Sequence, residues 1–234
     1  MRRFIFILFV PSLFLGQVKE ELYPPLNTLI KYHNDYTKNH YKVRLTEFKK
    51  TPLNYGDIVF IGNSITEGGQ DWSKKFGLEN VRNRGINGDV TDGVIVRLDE
   101  ITYFKPKAVF LLIGLNDLWN LHNKKGIPSP DYVGENILKI TKIIHTESPA
   151  TKIYVQTILP TRNDFLMNNI IAVNKIIKLN GKQGIYKVID LNSVFLDSKG
   201  LLIEEMTYDD AHLNEKGYLR WTEYVKEIVL SNID

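Results

Sequence analysis

The 234-residue sequence contains no cysteine. That excludes a disulfide framework, a thiolate metal site and a lipid anchor that would need an N-terminal cysteine. Histidine is scarce, with five residues. No H-E-x-x-H pair occurs, so the helix of a zinc protease is excluded. The glycines at 85, 88 and 93 do not fall into G-x-G-x-x-G, which argues against a dinucleotide loop. Charge of one sign is not concentrated anywhere: 30 Lys+Arg face 27 Asp+Glu, for a formal net charge of +3. Two of those positive charges, Arg2 and Arg3, sit at the extreme N-terminus, so the rest of the chain is close to neutral. A near-neutral chain has no electrostatic footprint for nucleic acid, and no nucleic-acid partner is expected.

What is present starts with a short basic end followed by an apolar run, Phe4 to Leu15 (FIFILFVPSLFL). The run is too short for a bilayer, which needs about 20 residues. It fits the apolar region of a secretory signal, with Gly16 as a small residue near the cut. Residues 1–18 are therefore expected to be a signal peptide. The mature protein is expected to be exported, to a periplasm or the medium, with no stable membrane anchor. Hydrophobic residues make up 43% and aromatics 11%, enough to bury one sizeable core.

Residues 19–52 read as an N-terminal helical extension and 53–234 as the main domain. From Asn27 to Lys50 the apolar and aromatic residues, Leu29 to Val43, are spaced roughly as on a surface helix. That helix is a partner surface or a brace on the sheet. Beyond Pro52 the chain alternates. Apolar runs at 57–62, 81–84, 107–113, 152–158 and 186–191 read as strands. Helical patterns fall between and after them at 90–102, 132–146, 168–180 and 215–230. Short apolar strands alternating with helices predict an α/β fold, a mainly five-stranded parallel sheet covered on both faces. In such sheets ligands meet the chain beyond the carboxyl ends of the strands.

Four polar clusters fall at those places. Gly62-Asn63-Ser64-Ile65-Thr66 puts a serine at a strand-to-helix turn, where it is either a nucleophile or a helix cap. Asn83 to Asp89 (NRGINGD) is glycine-rich, so that the Gly88 N–H is free to face an oxyanion, or it is merely a turn. Gly114-Leu115-Asn116-Asp117 offers an asparagine amide as an oxyanion donor, or again a turn. The loop after Asn116 (LWNLHNKKGIPSP) lines the substrate or is only solvated. Asp209 and His212 stand three apart in a loop before the last helix, where the carboxylate can fix the imidazole tautomer. Of the five histidines, His212 alone has such a partner at such a loop.

Together, and in this order, these blocks resemble the SGNH/GDSL hydrolase family over about residues 55–230. Phe60 to Thr66 is similar to its nucleophile block, with Asn63 where the family often has aspartate. The terminal block continues as Leu213-Asn214-Glu215-Lys216-Gly217-Tyr218. The glycine block and Val94–Leu98 resemble the branch that includes the platelet-activating-factor acetylhydrolase subunits and many bacterial carbohydrate acetylesterases. The resemblance implies a three-layer αβα sandwich of flavodoxin-like architecture. It also implies Ser64 as nucleophile, His212 as general base and Asp209 as the orienting carboxylate, with Asp210 as the alternative beside it. The Ser64 and Gly88 N–H groups and the Asn116 side chain would form the oxyanion hole. No metal or other cofactor is required by that chemistry. The expected activity is hydrolysis of short-chain, acetyl-type esters on carbohydrates. A lysophospholipase or thioesterase is the alternative within hydrolases, and a catalytically silent carbohydrate-binding protein the alternative outside them. The partner is a small-molecule or glycan ester; nothing in the sequence speaks to oligomeric state.

Overall fold

In the computed structural model, which describes residues 21–233, five strands form one parallel sheet. The expected signal segment, 1–18, lies outside the described residues. The strands are β1 (Ile58–Gly62), β2 (Val81–Gly85), β3 (Ala108–Leu112), β4 (Lys152–Gln156) and β5 (Lys187–Ile189), in spatial order β2-β1-β3-β4-β5. β1 and β3 are buried at every position, as their unbroken apolar runs require of strands covered on both faces.

The helices follow the chain. They are α1 (Asp35–Lys50), α2 (Ser64–Glu67), α3 (Trp72–Phe76), α4 (Thr91–Val96), α5 (Asp99–Phe104) and α6 (Leu115–His122). α7 (Pro130–Glu147), α8 (Met167–Asn180), α9 (Leu191–Val194) and α10 (Glu215–Leu230) complete them. One layer is built around α7, which packs against α4, α5, α6 and α8. On the other face α3 packs against α10. There Phe60 stacks on Trp72 and Phe110 at centroid distances of 4.3 and 4.7 Å, and Trp72 meets Trp221 edge-on at 4.8 Å. Aromatic pairs at these distances add to the area they bury. The result is the expected three-layer αβα sandwich.

Three local expectations need correction. The N-terminal helix starts at Asp35, not Asn27. Asn34 caps it by accepting the Thr37 N–H at 2.8 Å, and Tyr32 just before it sits at φ +71°, outside any helix. Its buried face is Thr37, Tyr41, Leu45 and Phe48, while Leu29, Tyr36 and Val43 are exposed. The single helix read over 90–102 is two, α4 and α5, broken at Arg97 and Leu98. Arg97 turns inward there to bind Asp89 and the carbonyls of Arg84 and Gly62. Finally, the segment after Asn116 read as a loop begins as helix α6.

α1 lies beside β2, an edge strand whose outer carbonyls need donors. Arg44 supplies one to the Gly85 carbonyl at 3.2 Å. Behind it, Arg84 pairs with Glu100 through two bonds of 2.8 Å, and Tyr23 donates to the same carboxylate at 2.6 Å. Buried ions need such pairing to be tolerated.

Candidate active site

Because the sheet is parallel, the carboxyl ends of neighbouring strands lie level. Gly62 of β1 pairs in register with Gly85 of β2 and Leu112 of β3. The serine, glycine-rich and asparagine blocks, which follow these three residues, are therefore neighbours in space. Glycine is required at this level. A Cβ on Gly62 would lie 2.1 Å from the Leu112 carbonyl oxygen, and one on Gly85 would lie 2.1 Å from the Glu67 nitrogen. Gly88 adopts φ +80°, and a Cβ there would meet the Thr37 hydroxyl at 2.4 Å.

Ser64 opens α2 directly after β1. Asn63 caps that helix, its side-chain oxygen accepting from the Ile65 N–H at 3.1 Å, which asparagine performs as well as the more usual aspartate. Tyr218 and Trp72 donate to the carbonyls of Ile65 and Thr66 at 2.8 and 3.1 Å, tying the short helix to α10 and α3. The serine is held firmly although only half-buried.

The fourth block arrives from the far end of the chain. It follows a one-turn 3₁₀ helix (Glu204–Met206) rather than a strand, and an antiparallel bridge between Thr207 and Leu213 pinches it into a tight loop. Thr207 donates its hydroxyl to the His212 carbonyl at 2.7 Å. Asp209 Oδ1 accepts the main-chain N–H groups of Ala211 and His212 at 3.2 and 2.7 Å. Its other oxygen lies 2.6 Å from His212 Nδ1, and His212 Nε2 lies 2.9 Å from Ser64 Oγ. With Nδ1–H donating to the carboxylate, Nε2 is left to accept the serine proton. Partial burial raises the Asp209 pKa, but the bonds from the His212 backbone and ring outweigh it and hold the carboxyl below its ordinary value. Asp209 is therefore ionised where the imidazole needs it. Asp210 takes no part in the relay. It sits at φ +69° and points away, 3.8 Å from Arg162.

Asn116 stands at the start of α6. Its side-chain nitrogen donates one hydrogen to the Asp89 carbonyl at 2.9 Å, leaving the second hydrogen unspent by that bond. Gly88 is the residue just before that carbonyl. No hydrogen bond from the Ser64 or Gly88 N–H is found among the described residues. The structure joins Asp209, His212 and Ser64 in one relay and links the Asn116 side chain to the Asp89 carbonyl beside Gly88, with Ser64, Gly88 and Asn116 all just beyond the level carboxyl ends of β1, β2 and β3.

Others at the site were not singled out. Glu67 accepts the Asn87 N–H and faces His40 at 2.9 Å. Tyr208 is largely exposed, its ring 6.2 Å from the His212 ring and nearly parallel to it. Asp117, fully buried, accepts the Thr91 N–H and hydroxyl at the head of α4. Asp117 sits inside the asparagine block and Tyr208 directly precedes Asp209, so their positions were legible though their contacts were not. No cluster of three or more His, Asp or Glu side chains among the described residues is arranged to hold a metal ion.

Known proteins resemble the chain in sequence and in shape. The rat platelet-activating factor acetylhydrolase IB subunit alpha2 is 26% identical over 186 residues, covering 76% of this chain and 78% of its own. A GDSL-like lipase from Bacteroides thetaiotaomicron superposes with a TM-score of 0.70 at 21% identity, over 82% of this chain and 97% of its own. An acetylxylan esterase from Geobacillus stearothermophilus gives 0.60 at 18% identity, over 77% and 95%. These structural likenesses show the fold. The sequence profile of the GDSL-like lipase/acylhydrolase family matches residues 60–220, a span from β1 into α10 that takes in all four polar blocks. The protein belongs to the GDSL-like lipase/acylhydrolase family and is a serine ester hydrolase.

Proposed function

We propose that Ser64 is the nucleophile of an exported esterase that removes short acyl groups, acetyl above all, from carbohydrates. The observation that carries the catalytic assignment is the unbroken relay from Asp209 through His212 to Ser64, at 2.6 and 2.9 Å.

The steps follow from those contacts. His212 Nε2 takes the hydroxyl proton as Ser64 Oγ attacks the ester carbonyl. The carbonyl oxygen becomes an oxyanion, met by the Ser64 and Gly88 N–H groups and the Asn116 amide. One such donor is worth ~3 kcal/mol in a transition state. As the tetrahedral adduct collapses, the C–O bond to the alcohol breaks and the alcohol leaves with the proton from Nε2. Water then gives a proton to Nε2 and attacks the acyl-serine. Its collapse returns the proton to Oγ and frees the acid.

The carbohydrate reading is supported by what lies beside His212. A cleft of about 590 Å³ is lined by Gln70, Lys75, Asn214 and Glu215 together with Tyr208, Tyr218, Leu213 and Leu219, polar and apolar groups side by side. Its polar groups can hydrogen-bond the hydroxyls of a sugar while its rings pack on the sugar's apolar face. The acetylxylan esterase likeness points the same way. For export, support comes from the basic start and the apolar run Phe4–Leu15.

Two measurements test this reading. Across p-nitrophenyl esters from acetate to decanoate, kcat/KM should be highest on acetate. Acetate should also be released from O-acetylated glycans by the native protein and not by a folded Ser64→Ala variant. A preference for decanoate with no acetate release favours a lysophospholipase or thioesterase and overturns the substrate class. Ser64→Ala with full turnover overturns the nucleophile. For export, the mass of the protein recovered outside the cytosol should show loss of the N-terminal segment; an intact, cytosolic chain refutes it.

A further inference from the structure

Asn87-Gly88-Asp89 supplies one oxyanion donor and orients another, yet it is a surface loop whose middle residue has no side chain. Part of what holds it comes from outside the family-matching region. His33, Tyr36, Thr37 and His40 all precede residue 60.

His33 makes the deepest contact. Its Nε2 lies 3.0 Å from Asp89 Oδ1, with 1% of the histidine side chain and none of the aspartate exposed. Arg97 grips the other oxygen at 3.0 and 3.1 Å. His33 and Arg97 together leave the Asp89 side chain one position. Its own carbonyl is then fixed, and that carbonyl is what holds the Asn116 amide. The pair has a place made for it: a Cβ on Gly93 would lie 1.8 Å from Asp89 Oδ1 and 3.1 Å from His33 Nε2. His33 Nδ1 is buried with no partner among the described residues, a cost accepted for the Nε2 contact.

The other contacts act on the same loop. Glu67 accepts the Asn87 N–H, and His40 Nε2 holds both oxygens of that carboxylate at 2.9 Å. Thr37 packs on the bare side of Gly88, and Tyr36 accepts a bond from the Asn87 side chain at 3.2 Å.

We propose that His33 and His40 are positioning residues for the oxyanion hole, His33 acting through Asp89 on Asn116, and His40 acting through Glu67 on the Gly88 N–H. The N-terminal extension is on this view part of the catalytic apparatus. The inference rests on the oxyanion assignment given above. The physical argument is that donors serve a transition state only when already aimed, and small misplacements cost large factors in rate.

The test is a double-mutant cycle in the full chain, with p-nitrophenyl acetate as substrate and Tm recorded for each variant. His33→Leu should lower kcat by about tenfold with KM changed less than about twofold. His33→Gln, which can place an amide N–H near the Nε2 position, should recover most of the loss. In an Asn116→Ala background the His33→Leu loss should largely vanish, because the group it aims is gone. His40→Ala, at a partly exposed site outside the fully buried core, should fold and lower kcat with KM held. The oxyanion reading itself fails if Asn116→Ala alone leaves kcat unchanged. The positioning role fails if Asn116→Ala lowers kcat but His33→Leu costs the same in both backgrounds, or if folded His33→Leu or His40→Ala keeps native kcat. Where His33→Leu does not fold, the His40→Ala arm decides.

Discussion

Asp209 and Asp210 are adjacent carboxylates with opposite fates. Asp209 closes a small ring with the backbone N–H groups of Ala211 and His212 and so faces the imidazole. Asp210, in the left-handed region, is swung outward, and its carbonyl is taken by the Arg162 N–H at 2.8 Å. The D-x-x-H spacing pointed to Asp209 in the sequence but left Asp210 open beside it, because the choice between them depends on one backbone dihedral. Asp209→Asn should therefore lower kcat by roughly 10³- to 10⁴-fold while leaving Tm near native, since the imidazole loses its tautomer and not its place. Asp210→Asn should stay within about threefold, as exposed charges contribute little. Steady-state kinetics on an acetate ester checks both; equal losses would refute the distinction.

α4 shows how elements share the work. Its first N–H is capped not by a neighbour in sequence but by Asp117, from the asparagine block. Burial pushes the Asp117 carboxyl up to about 7, against the bonds from Thr91 that lower it. A folded pKa above the unfolded one means that folding takes up a proton between about pH 4 and 7. This contribution is complete below that window and is lost as pH rises through it. At ~1.4 kcal/mol per pH unit the ceiling is ~4 kcal/mol. Asp117→Asn cannot ionise, so the native protein should lose Tm relative to the variant from pH 4.5 to 7.5. Parallel Tm curves would sink the idea. Periodicity could not reveal such long-range ties. It found the five strands and α10 to within a few residues, yet it ran one helix through Arg97, where buried carbonyls and Asp89 pull the chain inward. It also read the stretch after Asn116 as a loop, although α6 runs on to His122 before the lysines at 124 and 125 begin. The true start of α1 was hidden because Leu29, Ile30 and Tyr32 carry the helical spacing upstream of Asp35, although Leu29 is exposed and Tyr32 sits at φ +71°.

At the scale of the whole chain, the family-matching region does not hold the entire core. Tyr23, Ile30, Tyr41, Leu45 and Phe48 are buried ahead of it. The relay closes across a long stretch of chain: Ser64 and His212 are 148 residues apart in sequence. Contacts that distant form only after the intervening chain is available to close the loop. A ribosome-stalled chain exposing residues through Met206 should not react with a fluorophosphonate, while one exposing the full length should. Labelling of the short form would contradict this. Synthesis from one end to the other thus acts as a safety catch: the hydroxyl is made early and stays harmless, and the loop that carries Asp209 and His212, emerging much later, arms it.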